Sequence, residues 1–143
     1  MKNFTSNIST KLELKIRTYD IDIAGHVNNA VYINWLEDLR TKLFLKFFNL
    51  PELLSSHSYP VVVSTEIKYK KFLKLFDKPI GVMCIETLQH GIFKLTAEIS
   101  LNNKIVASGK QKCVIFDLAK LEIVKHNKLV EIIDSNTGLF ELT

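Results

Sequence analysis

The chain has only two cysteines, Cys84 and Cys113, and no C-x-x-C pair. Both fall in strand-like runs, which points to buried, reduced thiols. A metal site would need more ligands close together than this sequence offers, so no metal is expected. Long apolar runs are also missing. None approaches the roughly 20 residues that span a bilayer, and the opening MKNFTSNIST has no apolar core and no cleavage signal. The expectation is a soluble, cytoplasmic chain with no membrane partner. There is no internal repeat, no low-complexity tract and no Pro/Gly-rich linker. Nor is there a basic block interleaved with exposed aromatics, which argues against nucleic acid as a partner. The formal charge is only +4, an excess that suits solubility and leaves room for an anionic partner.

What is present fits a single domain. A length of 143 residues suits one core, burying roughly two-thirds of the surface that the unfolded chain exposes. Hydrophobic residues make up 47% and charged residues 24%, which excludes disorder as the default. Residues 1–10 are polar and read as a flexible N-terminus, leaving 11–143 as the domain. Leu12, Leu14 and Ile16 alternate with Glu13, Lys15 and Arg17, the period of a half-buried strand. From Ala30 to about Phe48 the period becomes helical. Tyr32, Leu36, Leu39, Leu43 and Phe47 share one face, widened by Val31, Trp35 and Phe44. Asp38 and Lys42 are spaced to pair along the helix, and Asn49 and Pro51 stop it.

Four strands follow. Val61, Val63, Thr65, Ile67 and Tyr69 form one face of the first, and the alternation slips at Lys70-Lys71-Phe72, which suggests a bulge or bend. A second strand covers about 80–88 and turns at Gln89-His90-Gly91. Phe93, Leu95, Ala97, Ile99 and Leu101 alternate with Lys94, Thr96, Glu98 and Ser100, and Asn102-Asn103 is a hairpin signal. Residues 104–117 make the last long strand, and the tail from about Leu118 fits either a short helix or an extra strand. One long helix cannot cover both faces of a five-stranded sheet. An α+β fold with a curled antiparallel sheet wrapped round one central helix is the economical solution, with an edge left for another subunit.

The chemistry concentrates in Tyr19-Asp20-Ile21-Asp22-Ile23-Ala24-Gly25-His26-Val27-Asn28-Asn29-Ala30-Val31-Tyr32. Acids, a histidine and turn residues sit directly before an apolar helix. A helix N-terminus offers free N–H groups and a partial positive charge, which can polarise a carbonyl and stabilise an oxyanion. A carboxylate beside it can serve as nucleophile or as base toward water. A thioester needs little more, because a thiolate leaves readily. On the residues alone, the plainer reading of the segment is the favoured one: Asp20 and Asp22 cap turns and Asn28 or Asn29 caps the helix.

The pattern D-x-D-x-x-G-H-V-N-N-x-x-Y, followed by Trp35-Leu36-Glu37 on the helix, resembles the motif of the hotdog acyl-CoA thioesterases related to 4-hydroxybenzoyl-CoA thioesterase. The preceding strand, the helix, the Pro60-Val-Val-Val strand and the closing strand ending at Asp117 also fall where that family has them, over roughly residues 10–118. The resemblance implies a hotdog fold and hydrolysis of an acyl-CoA or acyl-carrier-protein thioester without cofactor. It implies Asp22 as the catalytic carboxylate and the main-chain N–H of Asn29 as the carbonyl-polarising group. It also implies a site at a dimer interface, hence a homodimer or homotetramer, and a basic surface that CoA follows.

Other residues carry two readings. His26 either positions water or Asp22, or packs as a turn residue. Asn28 is a substrate-binding candidate that also suits a cap, and Tyr32 a pocket wall that also suits the core. Glu37 suits a structural partner for a polar group across a dimer, and Asp20 suits holding the loop. Lys68, Lys70, Lys71, Lys74 and Lys78 form the densest basic cluster, with Lys70 and Lys71 the candidates for CoA phosphates or a carrier protein. The alternative is a solvated strand edge. A non-catalytic acyl-CoA or acyl-carrier binding module is the competing function, and enoyl hydration a third. The retained acid and the lack of room for a regulatory domain favour the enzyme.

Overall fold

The computed structural model describes residues 2–4, 8–137 and 140–142. In chain order these form β1 (Lys2–Phe4), β2 (Ser9–Glu13), α1 (Asn29–Phe44), α2 (Leu50–Ser55), β3 (Ser58–Tyr69) and β4 (Ile80–Gln89). There follow β5 (Ile92–Leu101), β6 (Lys104–Asp117), β7 (Glu122–Ile123), α3 (His126–Thr137) and β8 (Phe140–Leu142). Strands run β2-β4-β5-β6-β3 in one antiparallel sheet, with β7 on the end of β6, while β1 pairs with β8 separately. The sheet curls round α1, as the patterning predicts.

α1 begins where Asn28 caps it and buries Tyr32, Trp35, Leu36, Leu39, Leu43 and Phe44. Each such side chain contributes about 1.5–3 kcal/mol of burial. The helix sits very close to the sheet at two glycines. A Cβ on Gly81 of β4 would lie 2.9 Å from Leu39 Cδ1, and one on Gly109 of β6 would lie 3.4 Å from Leu36 Cδ1. On β5, Phe93, Leu95, Ala97 and Ile99 point inward and Lys94 and Glu98 outward, the expected alternation. Asn102 and Asn103 both take positive φ, as does the His90-Gly91 pair, so both hairpins turn in two left-handed residues.

Several expectations shift. The strand read from the alternation of Leu12 to Arg17 is β2, Ser9–Glu13, with Ile8 and Thr10 already buried. Ser9 and Thr10, placed by the sequence reading in the segment 1–10, thus belong to β2. Residues 2–4 pair with β8, and residues 1 and 5–7 of that segment lie outside the described residues. Asn49 does not simply end a helix: with Pro51 in the first turn, it caps a new one, α2. β3 ends at Tyr69 and the chain bends at Lys71, as the slipped alternation at 70–72 suggests, while a register shift, a bulge that the alternation did not signal, falls between Val62 and Ser64. The bulge turns Val61 and Val63 outward, 40% and 61% exposed, while Val62 and Ile67 pack on the core. Lys42, spaced to pair with Asp38, instead donates to the carbonyl of Lys11. The tail forms both strand and helix, and α3 seals one end of the core with Leu129, Val130 and Ile133. Among the described residues, no helix is long and apolar enough to cross a membrane.

Candidate active site

After β2 the chain makes a single 3-10 turn, Thr18–Asp20, and then a small closed loop. The Asp22 amide donates to the His26 carbonyl at 2.8 Å, and the Gly25 amide to the Asp22 carbonyl at 3.0 Å. Ile21 and Val27 close the loop as a bridge pair. Gly25 has φ +80°, a conformation that costs a residue with a Cβ. Asp22 Oδ1 accepts the amides of Ala24 at 2.9 Å and His26 at 3.2 Å. One carboxylate oxygen thus braces the loop. Its other oxygen, Oδ2, accepts no bond among the described residues, and the side chain is half-buried.

The loop runs straight into α1. Asn28 donates its amide to the Asp20 carbonyl at 2.7 Å, and its Oδ1 accepts the Ala30 amide at 3.0 Å. The Asp20 carboxylate in turn accepts the Arg17 amide at 2.8 Å, so Asp20 holds the loop at both its side chain and its backbone. Val31 donates to the Asn28 carbonyl. The Asn29 amide is left without an acceptor among the described residues. It is the first free donor of the helix, at the positive end of its dipole.

The segment after β3 lies against this corner. The Val27 amide donates to the Leu73 carbonyl at 2.8 Å, and the Tyr69 hydroxyl donates to the Asn29 carbonyl at 3.2 Å. Tyr32 is only 2% exposed and packs edge-on against Trp35 and Tyr69, so it supports the corner from beneath rather than lining its surface. Burial, then the nearby Tyr69, raises the pKa of Tyr32, and burial raises that of Tyr69, so both phenols stay protonated at neutral pH. The His26 ring stacks flat on Phe72, with centroids 3.9 Å apart and planes 7° from parallel. His26 reaches Asp22 through its backbone, and the face of its ring stacks on Phe72 while its two nitrogens accept or donate no bond among the described residues. Lys70 and Lys71 both donate their amides to the Val106 carbonyl, at 2.8 and 3.1 Å, and both side chains are exposed.

Glu37 does find a polar partner, but within its own chain: it pairs with Arg40. Arg40 is buried, and its Nη1 donates to Gln111 Oε1 at 2.9 Å. Gln111 Nε2 donates to Thr65 Oγ1 at 3.1 Å. This network ties α1 to β6 and β3. Burial lowers the Arg40 pKa, with Cys113 opposing, and pushes the Cys113 thiol up to about 11. Cys113 is therefore an inert thiol. Among the described residues, no group of three or more His, Cys, Asp or Glu side chains is placed to hold a metal ion.

The expected residues Asp22, His26, Asn28 and Asn29 thus meet at one loop–helix corner, with Tyr32 beneath and Lys70 and Lys71 on the adjoining segment. Sequence reasoning missed Tyr69, Phe72 and Arg40. Phe72 lay in the stretch where alternation slips, and a large apolar residue there was the available signal. Arg40 sat within the wide apolar arc of α1, where a charged residue needs a buried partner.

The sequence matches the family model of the thioesterase-like superfamily over residues 16–133. No curated protein matches it. Similar solved structures include the probable thioesterase YbaW from Escherichia coli, at 23% identity and TM-score 0.73, covering 91% of this chain and 98% of that one. A thioesterase from Thermus thermophilus, solved with coenzyme A and zinc, is 21% identical with TM-score 0.73, covering 90% and 93%. A 4-hydroxybenzoyl-CoA thioesterase variant solved with 4-hydroxybenzoyl-CoA is 17% identical with TM-score 0.77, covering 88% and 99%. At these identities the structures establish a shared hotdog fold.

Proposed function

The chain belongs to the thioesterase-like superfamily, a family of thioester hydrolases, and from that premise we propose that it hydrolyses an acyl-CoA or acyl-carrier-protein thioester. In the net reaction the C–S bond breaks, the acyl carbon gains the oxygen of water, and free acid and thiol leave. The substrate carbonyl oxygen accepts the unclaimed Asn29 amide, which stabilises the oxyanion as it forms. Asp22 supplies the carboxylate, as nucleophile or as base toward water, through the oxygen its loop does not use. Residues 11–143 act as one catalytic unit, and no cofactor takes part.

The observation that carries this reading is the pairing of a braced aspartate with a helix amide lacking an acceptor, close in the chain and joined by the Asp20–Asn28 bond. Phe72 orients His26 at the rim. Asn28 sets the amide as a cap, and Tyr32 with Tyr69 supports it. Lys70 and Lys71 meet the phosphates of CoA, the ligand borne by the Thermus relative, or an acidic carrier.

The active assembly is a homodimer or a dimer of dimers. Among the described residues, β3 leaves a 12-residue edge unpaired on the side away from β6, with Val61 and Val63 exposed beside it. Such an edge is a template for a second copy. A panel of acyl-CoAs of graded chain length, assayed for free-thiol release, tests the proposal. Release above the buffer rate for at least one chain length is expected, and none across the panel would count against it.

A further inference from the structure

The two edges of the sheet are not equivalent. The Ile8 carbonyl accepts the Ile85 amide at 3.0 Å, and the Leu14 amide donates to the Pro79 carbonyl at 2.9 Å. Even-numbered residues of β2 therefore turn their backbone groups toward β4, and Ser9, Lys11 and Glu13 turn theirs to the free edge. Two of those outward carbonyls are occupied. Lys42 Nζ donates to the Lys11 carbonyl at 2.8 Å, and Lys46 Nζ donates to the Ser9 carbonyl. The spacing explains the fit. Lys42 and Lys46 lie four residues apart on or just past α1, a rise of about 6 Å, and alternate strand residues lie about 6.6–6.8 Å apart. One helix row thus matches one strand edge. On β3, by contrast, no side chain bonds the free-edge backbone among the described residues.

We propose that Lys42 and Lys46 form a latch that closes the β2 edge to strand addition, so that copies of this chain associate through one sheet edge only. A sheet open at both edges can add strands without end, whereas one open edge gives a closed pair. Each ammonium also places a positive charge where an incoming strand would lie. An approaching backbone would have to displace a charge-assisted bond and leave that ammonium without its acceptor. The latch does not depend on the catalytic reading, and a chain without thioesterase activity would carry it equally.

The test replaces both donors while keeping the apolar stems: Lys42→Met with Lys46→Met. Wild type holds one mass in sedimentation and light scattering across a concentration series. The methionine pair grows with concentration, to at least roughly twofold the wild-type weight-average mass, because each new contact joins two assemblies. Lys42→Arg with Lys46→Arg keeps the donors and stays at the wild-type mass. Adding Lys11→Pro to the methionine pair removes an outward N–H of the edge and returns the mass to the wild-type value. A folded methionine pair that keeps the wild-type mass overturns the proposal, as does growth that survives Lys11→Pro. Should the methionine pair fail to fold, wild type decides by competitive acetylation followed by mass spectrometry. Lys42 and Lys46 should react roughly fivefold more slowly than the exposed Lys104 and Lys120, and equal rates overturn the latch.

Discussion

The buried network between α1 and the sheet makes a quantitative prediction about stability. Arg40 is 7% exposed and Gln111 4%, and each satisfies the other. Arg40→Met keeps the length of the side chain but orphans Gln111 Oε1, at about 1–3 kcal/mol. Relief of the guanidinium's desolvation offsets part of that, so about 1.5 kcal/mol is expected. Gln111→Leu does the reverse: it strips a buried cation of an acceptor and should cost about 3 kcal/mol. Made together, the two changes leave no orphan between them, because Glu37 is exposed and returns to water. The double variant should then lose only about 1–2 kcal/mol, where simple addition of the single effects gives about 4.5. Urea denaturation of the four proteins measures the cycle. In thermal melts, the single variants should fall by about 3–12 °C for a chain of this size. A double variant that loses the full sum would show that Arg40 and Gln111 do not act as a pair.

Two further outcomes follow from other parts of the molecule. Changing Lys70 and Lys71 together to Ala should raise KM for an acyl-CoA more than for a short thioester lacking the nucleotide, and added salt should weaken CoA binding. Steady-state kinetics on both substrates checks this, and equal effects would leave the two lysines as solvated surface. His126 Nδ1 accepts the Gly91 amide at 3.0 Å, and burial, then His90, lowers the His126 pKa from 6.5. The unfolded chain therefore binds this proton first, so the contribution of His126 is full above about pH 6.5 and is lost as pH falls toward the folded value. Melting temperature from pH 7.5 to 5 should fall more for wild type than for His126→Gln.

Much of the fold was legible because its periods are clean. The β5 alternation and the Asn102-Asn103 turn each depend on local chemistry alone, and the structure has them where the residues predict. The α1 face was equally plain, since Leu36, Leu39 and Leu43 need only helical spacing to share a side. What failed was what depends on distant neighbours. Val61 and Val63 look like core residues, yet a bulge opposite β6 turns them out. Lys42 looks like half of a helical ion pair, yet the carbonyl it meets is 31 residues away in sequence. The turn at Asp22 and the cap at Asn28 were legible because loop and cap chemistry are local. Tyr69 and Phe72 come to that corner through contacts between distant segments, Tyr69 with Asn29, Phe72 with His26 and Leu73 with Val27, which no spacing reveals.

The central claim is that Asp22 carries the hydrolysis. Asp22→Asn keeps a side-chain oxygen for the Ala24 and His26 amides, so the loop should hold and stability should change by no more than about 0.5 kcal/mol. The variant loses the charge and the basicity. On the best thioester from the acyl-CoA panel, kcat should fall by at least ~100-fold. KM should stay close to wild type, because in the proposed mechanism the carbonyl is held by the Asn29 amide and not by Asp22. Asp20→Asn, which touches only the brace at Arg17, should lose far less. The decisive measurement is kcat and melting temperature together for Asp22→Asn. A large loss of turnover in a protein that melts like wild type is the predicted result. A folded Asp22→Asn protein with near wild-type turnover would contradict the mechanism.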